Sequence, residues 1–220
     1  MVSLAASMLS ADCSRLGEQA REAQAAGVEI IHVDVMDGRF VPPITFGADT
    51  VRALRRCVSI PLGVHLMVVE PERHLATFAR AGADRLIVHP EACLHLHRTL
   101  QSIRELGVEA GVALSPGTPL SCLEEVLDLT DQILVMTVNP GYAGQTFIRS
   151  QADKVRRLSH LLGERGRRIP IAVDGGINTS TALLATNSGA TVLVAGSSIY
   201  NGSASVASNV AALRACLSGG

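Results

Sequence analysis

No stretch of this sequence comes near the roughly 20 consecutive apolar residues that a bilayer crossing needs. No charged segment precedes the apolar part of "MVSLAASMLSAD", so a secretory leader is not expected either. Long basic runs are missing: the formal net charge is -1 over 220 residues, which excludes the broad positive patch that nucleic acid or anionic lipid requires. Cysteine is sparse and odd in number. Cys13, Cys57, Cys93, Cys122 and Cys216 are scattered without a CxxC pair, which argues against a disulfide framework and a thiolate zinc site. No G-x-G-x-x-G follows the first apolar run and no glycine loop ends in G-K-[ST], which removes the usual dinucleotide and triphosphate cradles. These absences leave a cytoplasmic protein with reduced thiols and room for a local site for a small anion.

What the chain does contain is apolar residues, at 47%, enough for one sizeable core. They are arranged in short Val/Ile/Leu-rich runs at 3–9, 29–36, 60–67, 84–89, 108–115, 131–138, 169–174 and 191–197. Amphipathic stretches such as "SRLGEQAREAQAAG" and "LHRTLQSIRELG" separate them, several ending at a glycine suited to a helix C-terminus. That alternation is the signature of parallel β/α units. Eight units in this length give the α/β class and a single (β/α)8 TIM barrel, one domain over 1–220, with an open doubly wound sheet as the alternative. Barrels of this kind carry their active sites at the C-terminal ends of the strands.

The second run, "IIHVDVMDGRF", holds His32 and Asp34 among residues that belong out of water. Residues two apart on a strand share a face, so His32, Asp34 and Met36 project together. His65 and Met67 do the same on the third run; Asp174 ends the seventh and Met136 lies in the sixth. Taken singly, a strand-end histidine is more often a hydrogen-bonded core residue, and Asp174 has a turn role open to it. A carboxylate between valines, as at Asp34, is costly without a cation or donors. Together His32, Asp34, His65 and Asp174 form a candidate site for one divalent metal ion. Nitrogen and oxygen donors without thiolate suit zinc, and also iron, manganese or cobalt. Asp12 reads as a helix cap and Asp37 as a turn former. His74, His95, His97 and His160 fall in helical stretches and are expected to face solvent, whereas His89, at a strand end, has structural and site-lining roles equally open.

Across the predicted mouth, glycine loops follow the last three runs: "NPGYAGQ" (139–145), "DGG" (174–176) and "AGSS" (195–198). Glycine lets backbone amides approach an anion, and barrels often bind phosphate after strands 7 and 8.

The motifs "SMLSAD", "HVDVMDGRFVP", "HLMVVEP", "HPEA", "MTVNPGYAGQTF", "DGGIN" and "VAGSSIY", in this order, resemble the ribulose-phosphate 3-epimerase family over essentially the whole chain. The resemblance implies that His32, Asp34, His65 and Asp174 bind the metal and that Asp34 and Asp174 are the acid/base pair. It implies substrate contacts from Ser7 and His65, and phosphate contacts from Gly141, Tyr142, Ala143, Gly144, Gly175, Gly176, Gly196 and Ser197. The activity implied is inversion at C3 of D-ribulose 5-phosphate to D-xylulose 5-phosphate, in the pentose phosphate pathway, by two-base proton transfer through a metal-stabilised enediolate. Met36, Met67 and Met136 would cap the intermediate, although core packing explains any one of them. The expected partner is a small sugar phosphate, and a homo-oligomer is expected. Three positions depart from the family pattern: Ala143 where glycine is usual, Pro43 where asparagine is common, and Ala6 where proline is frequent. None is a proposed metal ligand. A 3-epimerase of another ketose phosphate such as D-allulose 6-phosphate, and a non-catalytic sugar-phosphate sensor, are the competing readings. A barrel lyase or decarboxylase is disfavoured because those place a lysine at a strand end, and the one lysine here, Lys154, lies in a helical stretch.

Overall fold

Eight strands, β1 (Ser3–Ser7), β2 (Ile30–Met36), β3 (Leu62–Met67), β4 (Arg85–Val88), β5 (Glu109–Leu114), β6 (Gln132–Met136), β7 (Ile171–Asp174) and β8 (Val192–Ala195), pair in parallel in chain order. β8 returns to β1 and closes the barrel. The structure is a computed structural model that describes residues 2–218; the expected domain of 1–220 also takes in Met1, Gly219 and Gly220, which lie outside the described residues. Each strand is shorter than the apolar run that announced it. β1 stops at Ser7 because its hydroxyl accepts from Leu9 N and caps a 3-10 turn, Met8–Ser10.

A repeated device at the strand starts sets the register. Near the start of β1, Leu4 N donates to Glu29, whose own N–H returns a bond to Leu4 O. Leu62 and Asp84 exchange the same two bonds, as do Ala110 and Asp131, and Ile171 and Thr191. Each pair locks the residue before an even-numbered strand to its odd-numbered neighbour. Because side chains alternate with period two, fixing register at one end fixes which residues face inward at the other. Asp34 therefore pairs with His65, Met36 with Met67, Met136 with Asp174, and Ser7 with His32.

The outward-facing residues Ile31, Val33, Val35, Val64 and Leu66 join the apolar layer beneath the helices. A separate inner layer, including Ala5, Ile87, Ala113, Leu134, Met136, Ala172 and Val194, fills the barrel, so it is a packed core closed below the mouth.

Among the described residues there are seven α-helices, where the alternation predicts eight: α1 (Leu16–Ala25), α2 (Ala48–Arg55), α3 (Leu75–Ala81), α4 (Leu96–Glu105), α5 (Ser150–Glu164), α6 (Ala182–Asn187) and α7 (Val206–Ser218). Between β5 and β6 the chain makes 3-10 turns instead, Leu120–Leu123 and Leu127–Leu129. The cause is the spacing of buried residues. Buried Leu123 and Val126, with partly buried Leu120, recur every three positions and pack against the core, which matches the 3-10 repeat of three residues per turn.

Candidate metal centre and cleft

The quartet meets at the C-terminal mouth. One donor atom from each of His32, Asp34, His65 and Asp174 lies within 4.8 Å of the others. Asp34 Oδ1 is 3.2 Å from His32 Nε2 and 3.0 Å from His65 Nδ1; Asp174 Oδ2 is 3.6 Å and 3.8 Å from the same nitrogens. Donors bound at about 2.0–2.2 Å around one ion stand roughly 3.0–3.6 Å apart along the edges of a tetrahedron or octahedron. The donors sit near that spacing, and their chemistry suits a borderline divalent cation.

Local structure holds each donor. β2 carries His32 and Asp34 on one face, and the Asp34 carbonyl accepts from Thr45 Oγ1, which itself accepts from Met36 N. Asp34 Oδ2 accepts from Ser7 Oγ at 2.7 Å, which leaves Oδ1 toward the imidazoles. Thr137 N and Oγ1 both donate to the Asp174 carbonyl, fixing the end of β7.

Electrostatics separate the two carboxyls. Burial opposes ionisation of Asp34, yet the charge and hydrogen bond of His32, with the bond from His65, outweigh it and hold the group far below the usual carboxylate range. Burial, then the negative charge of Asp34, pushes Asp174 up to about 7. Burial pushes His65 down to about 4, so it is neutral and has a lone pair to give. His32 goes the other way: burial lowers it, but the charge and bond of Asp34 and the charge of Asp174 raise it overall. Without a cation the cluster gathers protons on His32 and Asp174, as expected where negative charge is in surplus.

Above the quartet opens a cleft lined by Ser7, Asp34, Asp174, Met36, Met67 and Met136, with all three glycine loops on its far side. Gly141, Tyr142, Ala143, Gly144, Gly175, Gly176, Gly196 and Ser197 all reach it. His65, expected to touch substrate, is fully buried behind Asp34 and does not line it. Gly176 sits at φ +67 with its missing Cβ only 2.6 Å from Phe147 N, so the two loops touch backbone to backbone. Ala143 takes up no left-handed conformation, since Glu70 is the one non-glycine with positive φ among the described residues; alanine is accommodated there without strain.

Other expectations resolve simply. Asp12 caps the turn Cys13–Arg15, and Asp37 accepts from Arg39 N, Phe40 N and Val69 N. His74 and His95 immediately precede α3 and α4, and both, like His97 and His160, are exposed. Sequence reasoning did not single out Leu9, Ser10, Val138 and Ile177, which also line the cleft; Val138 follows Met136 at strand spacing, a signal that could have found it. Lys154 is buried on α5, its ammonium donating to the carbonyls of Ser115, Pro116 and Thr118, a role its helical setting did not disclose. No helix among the described residues is long and apolar enough to cross a membrane.

This geometry coincides with known relatives. The chain is 50% identical over 201 residues to the ribulose-phosphate 3-epimerase of Bacillus subtilis, covering 91% of this chain and 93% of that one. It is 44% identical over 199 residues to the enzyme of the same name from Escherichia coli K12, covering 90% and 88%. Among solved structures, KGPDC from Streptococcus mutans superposes with a TM-score of 0.73 at 17% identity, covering 99% of this chain and 97% of the other, a likeness of fold alone. Residues 3–200 match the ribulose-phosphate 3 epimerase family. The chain belongs to the ribulose-phosphate 3-epimerase family and is an enzyme of the isomerase class.

Proposed function

We propose that this protein interconverts D-ribulose 5-phosphate and D-xylulose 5-phosphate by inverting C3, with one divalent cation, zinc first, held by His32, Asp34, His65 and Asp174. A cation at that position supplies positive charge beside the ketone and makes the C3–H bond acidic. The protein's own residues do the rest. Asp34 takes the proton from one face; Asp174, across the site, delivers one to the other face, and the roles exchange in the reverse direction. Ser7 steadies the Asp34 oxygen it bonds. The amides of the glycine loops receive the phosphate, and Met36, Met67 and Met136 cover the reacting carbons with apolar surface.

The observation that carries this reading is the meeting of two carboxyls, Asp34 and Asp174, with two imidazoles at the floor of one cleft, their donor atoms within 4.8 Å of one another. Two carboxyls placed at one reacting centre can serve as base and acid in turn. The relatives, ribulose-phosphate 3-epimerases, favour the pentulose over a hexulose phosphate. The test is incubation of metal-loaded protein with D-ribulose 5-phosphate in deuterated water, with D-allulose 6-phosphate alongside. Xylulose 5-phosphate carrying deuterium at C3 is expected, with slower turnover of the hexulose. Binding without exchange would leave a sugar-phosphate sensor, and faster hexulose turnover would reassign the substrate.

A further inference from the structure

Behind the quartet, a second line of polar side chains runs away from the cleft. His65 Nε2 lies 2.8 Å from His89 Nε2, with the ring planes 26° apart and 5.0 Å between centroids, so the rings meet edge to edge, and both side chains are fully buried. His89 follows β4, and its other nitrogen, Nδ1, is 3.4 Å from Ser115 Oγ and 3.5 Å from Glu91 Oε2. Glu91 Oε1 in turn accepts from Ser115 N and Thr118 Oγ1. The loop that seats Glu91 is tied down by Lys154, which donates to Ser115, Pro116 and Thr118 carbonyls.

Two ring nitrogens this close share a single proton, and the surroundings decide whose it is. His65 turns Nδ1 toward Asp34 and Asp174. A cation there takes the Nδ1 lone pair, so the His65 proton sits on Nε2 and is donated to His89. His89 then accepts at Nε2 and carries its own proton on Nδ1, facing Glu91 and Ser115. With a cation on Nδ1 every donor along the line has an acceptor in this arrangement; the reverse relay, in which His65 Nδ1 donates to Asp34 and His89 Nδ1 accepts from Ser115 Oγ, is open only to the ion-free site.

We propose that His89 is a positioning residue of the metal centre: it accepts the Nε2 proton of His65, fixing that ring as a ligand through Nδ1, and Glu91 fixes His89 in its turn. This rests on the quartet being a metal site. The carboxylate end of the line is an anion, since bonds from His89 and Thr118 overcome burial and hold Glu91 down at about 2. Outer partners of this kind tune metal affinity by about 10–100-fold. Packing alone is the rival role, because His89 also lies 4.9 Å from the Phe40 ring.

The test compares wild type with His89→Leu, His89→Gln and Glu91→Gln, reading zinc affinity by chelator competition, the visible spectrum of the cobalt-loaded protein, and unfolding of the metal-free protein. His89→Leu keeps bulk but offers no acceptor, and a zinc affinity about 10–100-fold weaker is expected with an altered cobalt spectrum. His89→Gln offers an amide oxygen to His65 and is expected to recover most of that loss. Equal affinity in wild type and His89→Leu, or equal losses in the leucine and glutamine variants, would overturn the proposal while leaving the metal reading intact. A wild type that binds no divalent ion would instead remove the metal reading and this inference with it. Should His89→Leu fail to fold, Glu91→Gln decides: weaker binding with unchanged metal-free unfolding supports the line, and wild-type binding overturns it.

Discussion

Ser7 and Asp34, 27 residues apart in sequence, meet in a 2.7 Å hydrogen bond from Oγ to Oδ2 at the floor of the cleft. The bond divides the labour of one carboxylate: Oδ1 faces His32 and His65, and Oδ2 is held beside the substrate space. A hydrogen bond to a charged group is worth about 1.5–3 kcal/mol, or roughly tenfold or more in rate. Ser7→Ala is therefore expected to lower kcat by about tenfold or more while metal affinity stays within about threefold. Steady-state kinetics and chelator competition on the same preparation check this; an unaltered kcat would show that Asp34 needs no such support.

Replacing either carboxyl by its amide keeps shape and one oxygen donor but removes the base. Asp34→Asn and Asp174→Asn are each expected to fold and to lose epimerisation by about 10²–10⁴-fold. The two-base arrangement makes a sharper claim. With one base left, a C3 proton is still exchanged on one face, so one epimer of the substrate should take up solvent deuterium without inverting. Mass spectrometry of recovered ketose phosphate reads this directly. Inversion surviving in either variant would rule out the pairing.

The barrel and the quartet were legible in the sequence for the same reason. Buried parallel strands announce themselves as apolar runs, and period-two spacing places His32 with Asp34, and His65 with Met67, on the inner face. Parallel topology then sends every strand end to one mouth. What stayed hidden depends on contacts between segments distant in the chain. The turns at 120–129 carry apolar residues that read as a helix, and only their packing against the core shows 3-10 turns in its place. The burial of Lys154 depends on three carbonyls from a loop more than thirty residues earlier. Nor does anything in "VHPE" say that His89 faces another imidazole.

Metal affinity should depend on pH with a definite sign. Asp174 holds its proton up to about 7 in the ion-free site, and His32 is raised above its ordinary value, its burial outweighed by Asp34. A cation must displace both protons at mildly acidic pH and neither well above neutrality. Affinity is thus expected to rise with pH, by up to about two protons per ion below neutrality, and to level off only once the pH has passed the range in which Asp174 and His32 lose their protons. Asp174→Asn should remove one of the two. Titration calorimetry in buffers of different ionisation enthalpy counts the protons released. A flat profile in wild type would exclude Asp174 and His32 as ligands.

Two glycines of the cradle separate conformational strain from close packing. Gly144 has φ +74 with nothing within 4 Å of where a methyl group would stand, so Gly144→Ala meets only left-handed strain, about 1–2 kcal/mol. Gly176 has φ +67, but a Cβ there would lie 2.6 Å from Phe147 N and 2.8 Å from its Cα. Backbone cannot step aside as a flexible side chain does, so Gly176→Ala adds a clash of about 1–3 kcal/mol to the same strain. In a protein of this size each kcal/mol moves Tm by about 2–4 °C, so the second variant should melt roughly twice as far below wild type as the first. On the proposed function, in which these loops receive the phosphate, Gly176→Ala should also raise KM for the sugar phosphate more than it lowers kcat. Equal melting shifts in the two variants would mean that the contact with Phe147 relaxes without cost, and an unaltered KM would place the phosphate elsewhere in the cleft.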